Sequence, residues 1–343
     1  MKRLILLTGL VLLYFNLCGQ IPQGYYATAE GLSGENLKTA LYNIIKGHTE
    51  YPYTDSGTDV WDILKESDRD PGNPNNVILL YTGWSVNAAQ EYNSGTGWSR
   101  EHVWAKSRGD FGTDPGPGTD AHHLRPADIS VNSARNNRWF DSCTVAYFDG
   151  GIATGCYTSS TSWVWQPRAA VKGDVARMIF YMATRYEGEN GEPDLEMIDY
   201  LPADNYTTEP VHALLKVLLR WNEEDPVDDF ERNRNEVVYS YQHNRNPFID
   251  HPEYMARILE TATPASLIDE EQAVTIYPNP AYEIVSVDPP GKYLFTLYNL
   301  SGSIVLKDEG DHLDVSCVAP GHYILSTSGQ TPAAESIHQL IVR

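Results

Sequence analysis

Arg100-Glu101-His102-Val103-Trp104, followed after a loop by Asp120-Ala121-His122-His123-Leu124-Arg125-Pro126 and then Ala127-Asp128-Ile129-Ser130-Val131-Asn132-Ser133-Ala134-Arg135-Asn136-Asn137, is the stretch on which the fold turns. Between the first two blocks, Gly109–Thr119 is crowded with Gly, Pro and Asp, a composition that breaks both helix and strand. Pro126 suits the first turn of a helix, with Ile129, Val131 and Ala134 as its inward residues. The segment therefore reads strand, long loop, short strand, helix.

The residue types in this stretch suit one chemistry. Hydrolysing a phosphodiester requires a base that takes a proton from the attacking water, and a neutral imidazole does this near neutral pH. Charge developing on the phosphate and on the leaving oxygen is met by a hard divalent cation held by oxygen ligands. A guanidinium can add paired contacts to phosphate oxygens. His102 is the candidate base, Glu101 and Asn132 are the candidate oxygen ligands, and Arg125 or Arg135 the phosphate contact. Asn136 and Asn137 stand near Asn132 as alternatives, and His122 and His123 can either orient ligands or be satisfied core histidines. Successive strand residues point to opposite faces, so Glu101 and His102 share a site only if the strand ends or distorts there. A zinc ion gathered by His102, His122 and His123, serving another ester, is the alternative, but Glu plus Asn favours a hard ion. An inactive surface-binding module is the third reading, and the intact trio Glu101, His102 and Asn132 speaks against it.

Outward from this centre, Asn36–Lys46 places Leu37, Leu41, Ile44 and Ile45 at helical spacing. Asp70–Asn76 reads as a loop and Val77–Tyr81 as a buried strand. Lys172–Tyr186 reads as a helix with Asp174 as its N-terminal cap, and Val211–Trp221 as a second amphipathic helix. After residue 262 the pattern changes. A linker over 263–272 leads to alternating β-type runs at Val274–Ile276, Leu294–Leu297, Ile304–Leu306, Tyr323–Leu325 and Leu340–Val342, an all-β module over 273–343.

Met1-Lys2-Arg3 followed by an apolar run from Leu4 to Leu17 describes an export signal over residues 1–19, too short for a permanent membrane span. In an exported chain, Cys143 and Cys156 are expected to form a disulfide. The formal net charge is −21, spread as −7 over residues 269–343 and −14 over residues 1–268. That balance argues against a protein that coats DNA, yet a cleft needs positive charge only locally.

Residues 25–262 strongly resemble the endonuclease I family of bacterial nucleases, whose sites are ββα-metal (His-Me finger) motifs. The family's Arg-Glu-His signature matches Arg100, Glu101 and His102; its His-x-Leu-x-Pro and Val-Asn signatures match His122–Pro126 and Val131-Asn132. Lys172–Arg177 and Asn244–Pro252 are also family-like. The resemblance implies an α+β nuclease domain over 20–262 carrying the ββα-metal motif. It implies His102 as general base and one Mg²⁺, or Mn²⁺ or Ca²⁺ in its place, on Glu101 and Asn132. The substrate is DNA, RNA or both, cut with little sequence specificity. Some members use an arginine from the loop after the first strand; here that loop offers Lys106 and Arg108. Tyr277-Pro278-Asn279-Pro280, Gly321-His322-Tyr323 and the ending Leu340–Arg343 resemble the sorting domain of the type IX secretion system, a small sandwich-like β module. This implies the secretion machinery as a partner and a secreted or surface-attached protein.

Overall fold

The computed structural model describes residues 21–260, 275–288, 290–300, 302–329 and 335–343. The leader over 1–19 and the linker over 263–272 lie outside the described residues. The chain divides into two compact units, 1–262 and 263–343, each with its own apolar core.

The first unit opens with α1 (Gly34–Ile45), whose Leu37, Leu41 and Ile45 recur every four residues and are fully buried. Next comes α2 (Val60–Ser67), started by a capping box between Asp59 and Asp62. A three-stranded sheet follows: β1 (Arg69–Asp70), β2 (Asn73–Ile78) and β3 (Ser85–Asn87). Asn73–Asn76 thus belong to a strand rather than a loop, and the turn is confined to Pro71-Gly72, whose amide the Asp70 carboxylate accepts at 2.7 Å. Leu79–Tyr81 leave the ladder, but Leu80 still donates to the Pro126 carbonyl.

The central motif comprises β4 (Trp98–His102), β5 (Leu124–Asp128) and α3 (Ile129–Arg135). β4 and β5 pair antiparallel, Arg100 opposite Pro126 and His102 opposite Leu124. Pro126 is therefore a strand residue, not a helical one. Helix α3 starts three positions later because the Asp128 carboxylate takes the amides of Ser130 and Val131. A four-stranded sheet follows: β6 (Trp139–Phe140), β7 (Val145–Asp149), β8 (Ile152–Ser159) and β9 (Val164–Gln166), in the order β6-β9-β8-β7.

Helix α4 (Lys172–Arg185) runs through the core and is buried on every side after Lys172. Asp174 does not cap it; its carboxylate accepts from Arg125 at 3.0 Å. The expected second helix begins late. Val211–Ala213 instead form β11, parallel to β10 (Glu196–Ile198), and α5 covers only Leu215–Glu224. Partner strand β10 outweighs the local helical pattern. The unit closes with α6 (Asp229–Gln242), α7 (Pro247–Asp250) and α8 (Tyr254–Leu259).

The second unit has seven strands among the described residues: β12 (Thr275–Tyr277), β13 (Ile284–Asp288), β14 (Tyr293–Asn299), β15 (Ile304–Gly310), β16 (His312–Asp314), β17 (Gly321–Gly329) and β18 (Glu335–Val342). They form two sheets, β12-β13-β16 and β15-β14-β17-β18, whose inner residues Val285, Val287, Leu313, Phe295, Leu297 and Leu325 share one cluster.

Cys143 and Cys156 stand as separate thiols, so the expected disulfide is absent. The two residues have different surroundings. Cys143 precedes β7, in the segment that crosses from β6, where its amide donates to the Gln166 side chain at 3.1 Å, whereas Cys156 is a buried residue of β8. The Cys156 thiol turns inward and donates to the Tyr81 carbonyl at 3.2 Å.

Candidate active site

Glu101, His102 and Asn132 line one cavity of about 350 Å³, together with Tyr53, Arg100, Lys106 and Arg135. β4 ends at His102, so the chain turns away where alternation would otherwise have separated Glu101 from His102. α3 then brings Asn132 against the strand: its amide nitrogen donates to the Ser99 hydroxyl at 3.0 Å and to the Arg100 carbonyl at 3.5 Å. Those two bonds leave the amide oxygen as the uncommitted end.

Glu101 is 2% exposed. One carboxylate oxygen accepts from the Tyr81 hydroxyl at 2.6 Å and lies 3.3 Å from the Arg135 guanidinium. Burial raises its pKa, while Arg135 and the Tyr81 hydroxyl pull it back. No hydrogen bond within the described residues engages the other oxygen.

The His102 ring is stacked on Tyr53 at 5.6 Å, and its Nε2 lies 2.9 Å from the Gly118 carbonyl. A carbonyl only accepts, so the proton sits on Nε2 and the lone pair on Nδ1. Burial above all, and then His123, holds this imidazole well below its ordinary range, which keeps it neutral.

One carboxylate and one amide oxygen on one cavity form a donor set for a hard cation that keeps most of its water. Among the described residues no group of three His, Cys, Asp or Glu could hold a metal. The His102 and His123 rings are 5.6 Å apart, but the three histidines form no ligand group among the described residues, and His122 Nε2 is engaged by the Asn244 carbonyl at 3.1 Å and His123 Nε2 by the Pro117 carbonyl at 2.7 Å. The donors fit magnesium-type coordination better than zinc. A larger cavity of about 830 Å³, at Tyr42, Lys46, Phe111 and Arg185, is lined by none of Glu101, His102 and Asn132.

The chain matches the Endonuclease I family over residues 33–253, across this whole constellation. It belongs to that family. Residues 275–343 match the secretion system C-terminal sorting domain. Relatives of this endonuclease I chain include the extracellular ribonuclease of Bacillus subtilis (strain 168), 56% identical over 237 residues, which are 68% of this chain and 77% of that protein. The extracellular ribonuclease of Bacillus amyloliquefaciens is 55% identical over 235 residues, again 68% of this chain and 77% of the relative. The protein is a nuclease, exported to the extracellular space or the cell surface. Among the described residues no helix is long and apolar enough to cross a membrane.

Of the two arginines expected at the phosphate, Arg125 lies away from the cavity and Arg135 borders it. Arg125 is 1% exposed, donates to Asp68 and Asp174, and is absent from the cavity wall. A guanidinium already paired twice in the core has nothing to offer a substrate. Arg135 borders the cavity, but it donates to the carbonyls of His102, Val103 and Asn136 and flanks Glu101. It ties the end of β4 to α3. Asp250, in the family-like stretch Asn244–Pro252, accepts from Tyr26, Arg245 and Asn235. Tyr81, Tyr53 and Gly118 escaped sequence reasoning, because nothing in their local pattern announces a partner so far along the chain. Lys106 is exposed on the cavity wall, and no carboxylate among the described residues pairs with it.

Proposed function

We propose that this nuclease hydrolyses phosphodiester bonds of RNA and DNA without reading sequence, with a divalent cation on Glu101 and Asn132 and His102 as general base. The observation that carries the reading is the convergence of a neutral, Nδ1-acceptor imidazole with two uncommitted ligand oxygens on one cavity. A bound Mg²⁺-type ion supplies charge stabilisation for the phosphate and the leaving oxygen. His102 Nδ1 takes the proton of the attacking water, and the Gly118 carbonyl steadies the resulting imidazolium through Nε2. Tyr81 and Arg135 hold the Glu101 carboxylate toward the ion. Lys106 takes the role first given to Arg125 and Arg135, the contact with a phosphate oxygen.

Electrostatics agree with a polyanionic substrate. Lys106 and Arg100 line the cavity and Arg138 directly follows its residue Asn137, and no salt bridge to a carboxylate engages any of the three among the described residues. Both curated relatives are named as ribonucleases, which favours RNA as a substrate here as well. The C-terminal unit is read as an address for the type IX machinery. Incubating the purified protein with RNA and with plasmid, before and after chelation and Mg²⁺ or Mn²⁺ replacement, tests the reading. Cation-restored cleavage supports it, and full activity in excess EDTA defeats the metal mechanism.

A further inference from the structure

Beside the cavity lies a feature that the proposed chemistry does not use. Asn137 lines the cavity, and its side-chain oxygen accepts from the Trp163 indole at 2.8 Å. The Trp163 ring is 5.4 Å from the ring of Tyr206, and the Arg138 guanidinium lies 4.1 Å from the Trp163 centroid. Tyr206 is 67% exposed. An open aromatic ring therefore adjoins the catalytic cavity, backed by a second ring and a cation.

The assembly is held in place rather than left to drift. Asn137 donates to the Asn205 carbonyl at 3.3 Å, and Arg108 donates both to that carbonyl and to that of Asn137. The residue before Tyr206 is thus tied to the turn that follows α3. Trp163 has φ of +54°, a backbone conformation that bulky side chains rarely adopt and that tends to collect at functional positions. Arg138 has no carboxylate partner among the described residues, and its chain position directly follows the cavity residue Asn137.

An aromatic face paired with a cation, next to a site for phosphate, is the chemistry of an unpaired base and its backbone. Every base offers a π-face, so stacking does not select sequence. We propose that Tyr206, with Trp163 and Arg138 behind it, is a stacking subsite for an unpaired nucleobase flanking the scissile phosphate. The inference rests on the nuclease reading above and makes single-stranded nucleic acid the preferred substrate class. In a duplex the flanking base stays paired and stacked within the helix, out of reach of Tyr206.

The test uses the full-length secreted protein and short single-stranded oligonucleotides with one cleavable linkage, each carrying a base or an abasic sugar on either side. Tyr206→Ala is expected to raise KM for the full-base strand about tenfold, while Tyr206→Phe, which keeps the ring, restores it. On wild-type protein, removing the flanking base on one side is expected to raise KM similarly. Combining Tyr206→Ala with that abasic strand should add little more, because both changes remove the same contact. Cleavage of a duplex by Tyr206→Ala should be unchanged. Equal KM for base and abasic strands on wild-type protein, or additive effects in the combination, would overturn the subsite while leaving the nuclease assignment intact. A wild-type protein that cuts none of these strands would instead defeat the nuclease reading itself.

Discussion

Glu101 and His102 are sequence neighbours with different work, and they are separable by measurement. A base acts on the water and contributes about 10²–10⁴-fold to rate, whereas a ligand positions the cation that carries the phosphate charge. His102→Ala should therefore abolish turnover and leave Mg²⁺ affinity intact; Glu101→Ala and Asn132→Ala should weaken both. Calorimetric metal titrations beside single-turnover rates on RNA distinguish the cases. If His102→Ala loses metal affinity as fully as Glu101→Ala, His102 is not the base. At this scale the Arg-Glu-His and Val-Asn motifs stand out as candidates in the sequence, because their side chains suit the chemistry and match the family signatures, and the structure places Glu101, His102 and Asn132 on one cavity. The role of each arginine does not stand out. Arg125, Arg135, Arg138 and Arg108 look alike in a sequence, and only the carboxylates and carbonyls around each show which are already committed.

At the scale of elements, the loop between β4 and β5 is a structural part of the site. Gly118 supplies the carbonyl that holds His102 Nε2. A Cβ at Gly118 would meet the Gly112 carbonyl oxygen at 2.7 Å and the Thr113 Cα at 3.0 Å, both backbone atoms that cannot swing aside. Gly118→Ala should thus displace the loop and lower kcat by about tenfold or more with little change in Mg²⁺ affinity, since misplaced catalytic groups are costly. An unchanged kcat would show that the His102 tautomer does not depend on this carbonyl. The same loop delivers His122 and His123 into the core, where burial pulls both imidazoles down to about 4. The unfolded chain takes up these protons near pH 6.5, well before the folded one does. Their stabilising contribution is complete above pH 6.5 and is lost progressively as pH falls from there to about 4. Thermal unfolding should show Tm declining already between pH 6.5 and 5, above the usual carboxylate range. A flat Tm across that interval would contradict neutral, buried histidines.

At the scale of the molecule, the two units have separate apolar cores, and the candidate residues all fall in the first. We propose the boundaries 20–262 for the nuclease domain and 273–343 for the sorting domain. A chain cut to residues 20–262 should fold and cleave RNA at the rate of the full protein. A soluble, folded fragment that cuts nothing would show that the C-terminal unit takes part in the chemistry. Net charge belongs to this scale too: a chain at −21 should lose substrate affinity more steeply with salt at the cationic cavity than its bulk charge suggests.

Sequence by itself determined the elements whose causes are local. Helix α1 follows from apolar spacing, the β4–loop–β5–α3 order from a Gly- and Pro-rich interruption between apolar blocks, and the C-terminal β unit from alternation punctuated by turns. Glu101, His102 and Asn132 were singled out in the sequence by their side-chain chemistry and by the family motifs, and their roles remain a proposal. Tertiary structure decided whatever depends on a distant partner. Val211–Ala213 became a strand because β10 offered a neighbour, and Pro126 stayed in a strand because β4 pairs across it. Cys143 and Cys156 remained thiols, the first bonded through its amide to Gln166 and the second turned inward onto the Tyr81 carbonyl. Tyr81 reached Glu101, and Asn137 joined the cavity to Trp163, through contacts between residues well separated in the chain. A residue's chemistry travels with its side chain, but its partner is chosen by the packing of the whole unit.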